Sequence, residues 1–213
     1  MHSLHSFLRV GSLPFLTAAA MAAEPLFVED FTKATPDSAP QGLMIMSGGF
    51  TVKEEDGNKF LELPGAPLDT FGALFGPTPP SLEASASARF LGTKKGRKFP
   101  TFGISLHGVG GYRLQVSPAK KALEIYKGDQ PIATVPFEWE SGAWTHARIQ
   151  VRQKGDGAVV EGKAWTAGGA EPEKWLITHE ETTAPKPGRA GLWGSPYSGT
   201  PIGFDDLKVE AAK

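Results

Sequence analysis

Glu138 and Glu140 are the two carboxylates whose spacing most resembles a catalytic pair. Residues two apart on a strand point the same way, and a glycosidase acid and nucleophile must face the scissile bond together, about 5 Å apart. The pair sits just before the turn residues Ser141 and Gly142. A turn does not hold side chains firmly, so the competing reading is a solvated loop. Asp206 is the third carboxylate that a dispersed acid-base site would recruit. The segment Gly103-Ile104-Ser105-Leu106-His107 lacks the closing glycine of a nucleophile elbow and alternates like a plain strand. His107, His146 and His179 lack metal-ligand spacing. His146 and Arg148 share the outward side of one strand and can line a sheet face. Trp139, Trp193 and Tyr197 lie near turns, where a ring either packs locally or stacks on a pyranose with polar groups fixing orientation. Trp144 and Trp165 lie inside strands and read as packing residues. Lys94, Lys95, Arg97 and Lys98 form one basic loop without interleaved aromatics, read as a solvated turn in preference to a contact for anionic polysaccharide. No phosphate loop is formed, because Gly92 and Gly96 lack the lysine-hydroxyl ending.

The elements that must position these residues are short strands. The clearest is Leu82 to Phe90, where Leu82, Ala84, Ala86, Ala88 and Phe90 alternate with Glu83, Ser85, Ser87 and Arg89. Its small inward residues require something bulky opposite. Phe102, Ile104 and Leu106 alternate likewise, and Gly108, Gly110 and Gly111 turn the chain into Tyr112, Leu114 and Val116, predicting a hairpin. Leu123–Tyr126 pairs with Ile132–Val135 around Gly128 and Asp129. In Ala143–Val151 one face holds Ala147, Ile149 and Val151, the other Trp144, His146 and Arg148. Further strands are expected at Leu26–Phe31, Lys59–Leu63, Val159–Trp165, Lys174–Thr178 and Ala190–Trp193. Leu43–Met46 and Phe50–Lys53 read as a hairpin around Ser47, Gly48 and Gly49, and Phe71–Phe75 as part of a long loop or as an edge strand. The last strand, Ile202–Val209, is expected to set Leu207 and Val209 on one face and Phe204, Asp206 and Lys208 on the other.

Composition agrees with many strands joined by many turns. The 26 glycines and 18 prolines are spread along the 213 residues, without a linker or repeat. Cysteine is absent, which excludes disulfides and thiolate metal sites. Residues 1–22 have a weakly basic start, an apolar run from Val10 to Ala20 and small residues at Ala20 and Ala22, the pattern of a cleaved export signal. The run is too short to span a membrane. The expectation is therefore an exported protein, periplasmic or secreted, with residues 23–213 forming one domain. Net charge is −1, and −2 without Arg9, which argues against nucleic acid or an anionic membrane as partner. Oligomeric state is left open.

The order GGF-TV, SARF, FGISLHGVGGYRLQV, AWTHARIQV, KAW with EPEKW, GRAGLWG and FDDLKV resembles the concanavalin A-like lectin/glucanase superfamily, especially its laminin-G-like jelly rolls in bacterial secreted proteins. The resemblance spans nearly all of residues 23–213. It implies an all-β, two-sheet antiparallel jelly-roll sandwich in which LFVEDF pairs with FDDLKV, first strand beside last. It implies carbohydrate or cell-surface polysaccharide as partner; the ligand-binding candidates, from the residue reading above, are Trp193, Tyr197, Trp139, His146 and Arg148. Glucanases of the superfamily carry Glu-x-Asp-x-x-Glu or Glu-x-Asp-x-Glu on one strand, a run absent here, so the leading expectation is non-catalytic glycan binding. Glu138, Glu140 and Asp206 are the residues for the alternative, a hydrolase similar to bacterial sandwiches labelled keto-disaccharide hydrolases. A protein-binding adhesion or scaffold domain is the third reading. No cofactor is implied beyond a structural calcium between first and last strands, for which Asp30 and Asp205 match. Two carboxylates supply few of the 6 to 8 oxygens that calcium takes.

Overall fold

The computed structural model describes residues 24–212, and the segment read as an export signal lies outside them. Alternating apolar residues separated by glycine-rich turns give fifteen strands. The first eight are β1 (Phe27–Glu29), β2 (Leu43–Ser47), β3 (Thr51–Glu55), β4 (Asn58–Leu63), β5 (Phe71–Phe75), β6 (Ala84–Gly92), β7 (Thr101–Leu106) and β8 (Tyr112–Ser117). A 3-10 turn at Pro118–Lys120 leads to β9 (Ala122–Lys127), β10 (Gln130–Pro136), β11 (Trp144–Lys154), β12 (Gly157–Thr166), β13 (Ile177–Glu181), β14 (Ala190–Ser195) and β15 (Ile202–Ala211).

These form two antiparallel sheets. One is eight-stranded, ordered β13-β12-β11-β6-β15-β4-β3, with β1 also on β15; the other is seven-stranded, ordered β10-β9-β8-β7-β14-β5-β2. First and last strands pair as expected, Phe27 opposite Val209 and Glu29 opposite Leu207. This is a jelly-roll sandwich. Its core is the inner faces of both sheets. Ala84, Ala86, Ala88 and Phe90 on β6 are buried, and β7, bearing Phe102, Ile104 and Leu106, packs across them. The small residues of one sheet thus receive the large ones of the other, and Phe90 stacks on Phe102 with ring centroids 5.2 Å apart. Each such ring removed from water contributes about 1.5–3 kcal/mol.

Several expectations need correction. Leu43–Ser47 and Thr51–Glu55 are not a hairpin: β2 pairs β5 in one sheet and β3 pairs β4 in the other. Gly48, at φ +101°, turns the chain across the sandwich where a side chain would collide with Leu63 and Phe71. Phe71–Phe75 lies inside its sheet between β14 and β2, because Ala73 and Phe75 are fully apolar on the core side. The Lys174–Thr178 strand forms later, at Ile177–Glu181.

The closing strand does not keep one alternation. The register of β15 against β6 shifts between Asp205 and Lys208, and Asp206 has φ +50°. This bulge adds one residue, so Ile202 and Phe204 face the core before it and Leu207 and Val209 after it, all fully buried. The same edge serves β4 through Ile202–Phe204 and β1 through Leu207–Val209.

Candidate functional site

Trp193 alternates with the inward Leu192 and therefore stands on the outer face of the seven-stranded sheet. Its cross-strand neighbours are glycines, Gly72 on β5 and Gly103 on β7. A methyl group on Gly72 would stand 3.3 Å from the indole's Cε3. At the other end the indole Nε1–H donates to Ser105 Oγ at 2.9 Å. Ser105 lies opposite Gly191, where a Cβ would come within 2.6 Å of that hydroxyl. Glycines thus clear the floor on which the ring and its hydroxyl partner are set.

Arg113 continues the row on β8. Its guanidinium carbon is 5.2 Å from the Trp193 ring centroid and 4.7 Å from that of Tyr126 on β9, a cation held between two rings. Burial holds its pKa below the ordinary arginine value, opposed by the fields of Tyr126, Asp129 and Glu124. A cavity of 260 Å³ opens here, lined by Trp193, Arg113, Ser105, Thr70 and Asp129 among others. Thr70 Oγ1 and Ser195 Oγ lie 3.0 Å apart nearby. The outer face of this sheet therefore offers an apolar ring, hydroxyls and one cation around a shallow hollow, the composition of a small polar ligand's site.

Tyr197 borders a different hollow, of 170 Å³, with Thr101, Gln115, Ser117 and Lys120. Its loop is fixed by Thr200, whose hydroxyl accepts from the Tyr197 amide at 2.8 Å. Beside it Glu124, buried, accepts hydrogen bonds from Ser117, Lys120 and Tyr126.

The remaining candidates lie elsewhere. His146 and Arg148 are on the outer face of the eight-stranded sheet. His146 stacks on Trp165 at 5.1 Å and 13°, its pKa lowered by burial and by Arg89. Arg148 pairs with Glu210 at 3.2 Å and Glu171 at 3.4 Å. Asp206 pairs with Arg89 at 2.9 Å on that same face. Glu138 and Glu140 are exposed in the β10–β11 connection, Glu138 paired with Lys121 at 3.3 Å. Trp139, between them, packs edge-on against Phe102 at 6.2 Å. The structure thus places Trp193 on the seven-stranded sheet and Tyr197 in the loop that follows its strand, His146, Arg148 and Asp206 on the other sheet, and Glu138, Trp139 and Glu140 in a connection.

Asp205, fully buried, accepts from Arg89 at 2.6 Å and Asn58 at 3.0 Å. Burial pushes its carboxyl up, against the pull of those bonds. Asp30 is exposed and accepts from the backbone and hydroxyl of Thr32. Asp205 Oδ2 already accepts from the Arg89 guanidinium and Asn58 and Oδ1 from the Asp206 amide, while Asp30 is exposed, so this pair does not fit a divalent cation. Among the described residues there is no group of three or more His, Asp or Glu that could hold a metal. Nor is any described helix long and apolar enough to cross a membrane.

Sequence reasoning passed over Arg113, Ser105 and Tyr126 as site residues. The alternation of YRLQV already turned Arg113 outward, but only the strand order brings it beside Trp193.

The fold is that of the concanavalin A-like jelly rolls. The chain is similar in structure to the carbohydrate recognition domain of Emp46p in its potassium-bound form, with TM-score 0.58 and 12% identity over 88% of this chain and 94% of that one. It is also similar to a Lotus tetragonolobus seed lectin, with TM-score 0.56 and 12% identity over 87% and 98%. A third is lectin UEA-II complexed with galactose, with TM-score 0.51 and 13% identity over 89% and 100%. The Emp46p domain also has a metal-free form. No protein-family model matches the sequence, and no curated protein does.

Proposed function

We propose that this chain is an exported, non-catalytic domain that binds glycans on the outer face of its seven-stranded sheet. The observation that carries the reading is Trp193, partly exposed over glycine neighbours, tethered to Ser105 and bordered by hydroxyls and Arg113. An oriented ring beside fixed polar groups suits the mixed apolar and hydroxyl surface of a sugar. The similar folds include a carbohydrate recognition domain and a lectin complexed with galactose, which supports the same reading. The carboxylates nominated for hydrolysis do not gather around Trp193, which supports binding without turnover.

Titration of the protein against a glycan array, followed by calorimetry, tests this. Trp193→Ala should weaken the best glycan about tenfold or more while leaving the fold intact, as expected when a central aromatic contact is lost. Incubation should release no new reducing ends. Failure to bind any glycan would remove the reading.

One observation favours a second reading, a protein-binding edge. β2 is the outermost strand of its sheet and exposes Met44, Ile45 and Met46. An apolar edge with unpaired backbone groups can accept a strand from a partner. Met44→Lys and Met46→Lys together would abolish protein capture and leave sugar binding unchanged.

A further inference from the structure

Among the described residues, the arginines on strands are paired with carboxylates, with one exception. Arg89 meets Asp205 and Asp206, Arg148 meets Glu171 and Glu210, and Arg152 meets Glu161. Arg113 has no carboxylate within ion-pair distance among the described residues; its Nε is buried without a hydrogen-bond acceptor, as are those of Arg89 and Arg148, but those two have carboxylates at ion-pair distance. Of the two carboxylates whose fields reach it, Glu124 is occupied by Ser117, Lys120 and Tyr126, and Asp129 is exposed at the rim of the cavity. Contact with the Trp193 and Tyr126 rings holds the guanidinium in place but gives its N–H groups no acceptor. A half-buried cation without an acceptor is costly, and the fork of a guanidinium matches the two oxygens of a carboxylate.

Resting on the glycan reading of the Trp193 face, we infer that the sugar recognised is acidic: a uronic acid unit whose carboxylate docks on Arg113 while its ring packs against Trp193. The Ser105 hydroxyl accepts from the indole and has no acceptor for its own proton among the described residues, so it can donate to the same unit. Asp129 lines the hollow and can accept from a sugar hydroxyl. Its charge opposes that of the ligand, so this site is tuned for moderate affinity.

Calorimetry of the full chain at low and high salt decides this, with oligogalacturonate, its methyl ester, and a neutral and a sulfated galactan as probes. The methyl ester keeps the ring and removes only the charge. The acid should bind about tenfold more tightly than its ester, the scale of a charge-assisted bidentate contact, and salt should narrow the gap. Arg113→Gln should bring the two together, Arg113→Lys should restore part of the difference, and Asp129→Asn should widen it. Equal affinity for acid and ester in the unaltered protein overturns the inference, as does tighter binding of the sulfated galactan. The acid–ester comparison needs no variant, so it decides even if Arg113→Gln misfolds. Neutral-galactan binding that Trp193→Ala removes but Arg113→Gln leaves untouched overturns the acidic ligand and keeps the glycan reading. Binding of no probe, with or without Trp193, overturns both.

Discussion

The two outer faces of the sandwich handle charge in opposite ways. On the eight-stranded sheet, charges answer one another: Arg89 to Asp205 on the adjacent strand, Arg148 to Glu210 two strands away, Lys163 to Glu171 in the β12–β13 connection at 2.8 Å, and Arg152 to Glu161 on the adjacent strand at 3.0 Å. On the seven-stranded sheet the floor is stripped to glycine beside Trp193, and Arg113 is left without a bonded carboxylate. The first face gives each of its strand arginines a carboxylate, and the second leaves Arg113 without one. A ligand has most to offer where the protein has left a donor unanswered.

That contrast can be broken or sharpened by substitution. Arg89→Leu should have the largest effect, about 3 kcal/mol of stability in urea denaturation, because it leaves the buried Asp205 carboxylate without its cation. The deficit should shrink at low pH, where Asp205, its carboxyl already pushed up by burial, takes a proton. Sugar affinity should not change; if it falls, the two faces are not independent. Gly191→Ala should cost about 1–3 kcal/mol, since the new methyl meets Ser105 Oγ at 2.6 Å. Unlike Arg89→Leu it should also weaken sugar binding, by displacing the partner of Trp193.

A smaller effect belongs to His107, at the rim of the seven-stranded face. Its Nε2–H donates to the Leu82 carbonyl at 2.9 Å, and its Nδ1 accepts from the Gly188 amide at 3.3 Å, so the ring must be neutral. Burial lowers its pKa from 6.5. The stability it provides is full above that value and is lost as pH falls through the lowered folded-state pKa. Melting temperature should therefore drop on acidification from about pH 6.5, and His107→Gln should flatten that part of the profile. The smallest effect is expected for Lys154→Ala, which removes an exposed pair with Glu180 and should change stability by less than about 0.5 kcal/mol.

The strands whose alternation is unbroken were legible in the sequence. The strands expected at Leu82–Phe90, Thr101–Val116 and Ala143–Val151 form with their faces as expected and their ends shifted, at Ala84–Gly92, Thr101–Leu106 with Tyr112–Ser117, and Trp144–Lys154, because one buried face forces the period. Ser47, Gly48 and Gly49 read as a hairpin turn because turn chemistry is local, whereas which sheet each flanking strand joins depends on β5 and β4. The bulge at Asp205 and Asp206 was hidden for a similar reason: one added residue reverses the faces and leaves no compositional mark. Trp193 was legible as a ring near a turn. Arg113 was legible as an outward cation but not as an unpaired one, since that follows from what β9 and β14 place beside it. Trp139 reads in sequence as another ring near a turn, but it lies in a connection and packs on Phe102, whereas Trp193 stands on a strand and is tethered to Ser105.

The order of strands within each sheet also sets a timetable for synthesis. β14 is inserted between β7 and β5, and β15 between β6 and β4. Each sheet is therefore missing an interior member until the stretch from Ala190 to Ala211 has left the ribosome. Strands made early have no neighbour to seal that gap, and their apolar faces must wait, open to chaperones or to wrong partners. A nascent chain stalled before Ile202 would hold most of its core residues and still be unable to close the sandwich.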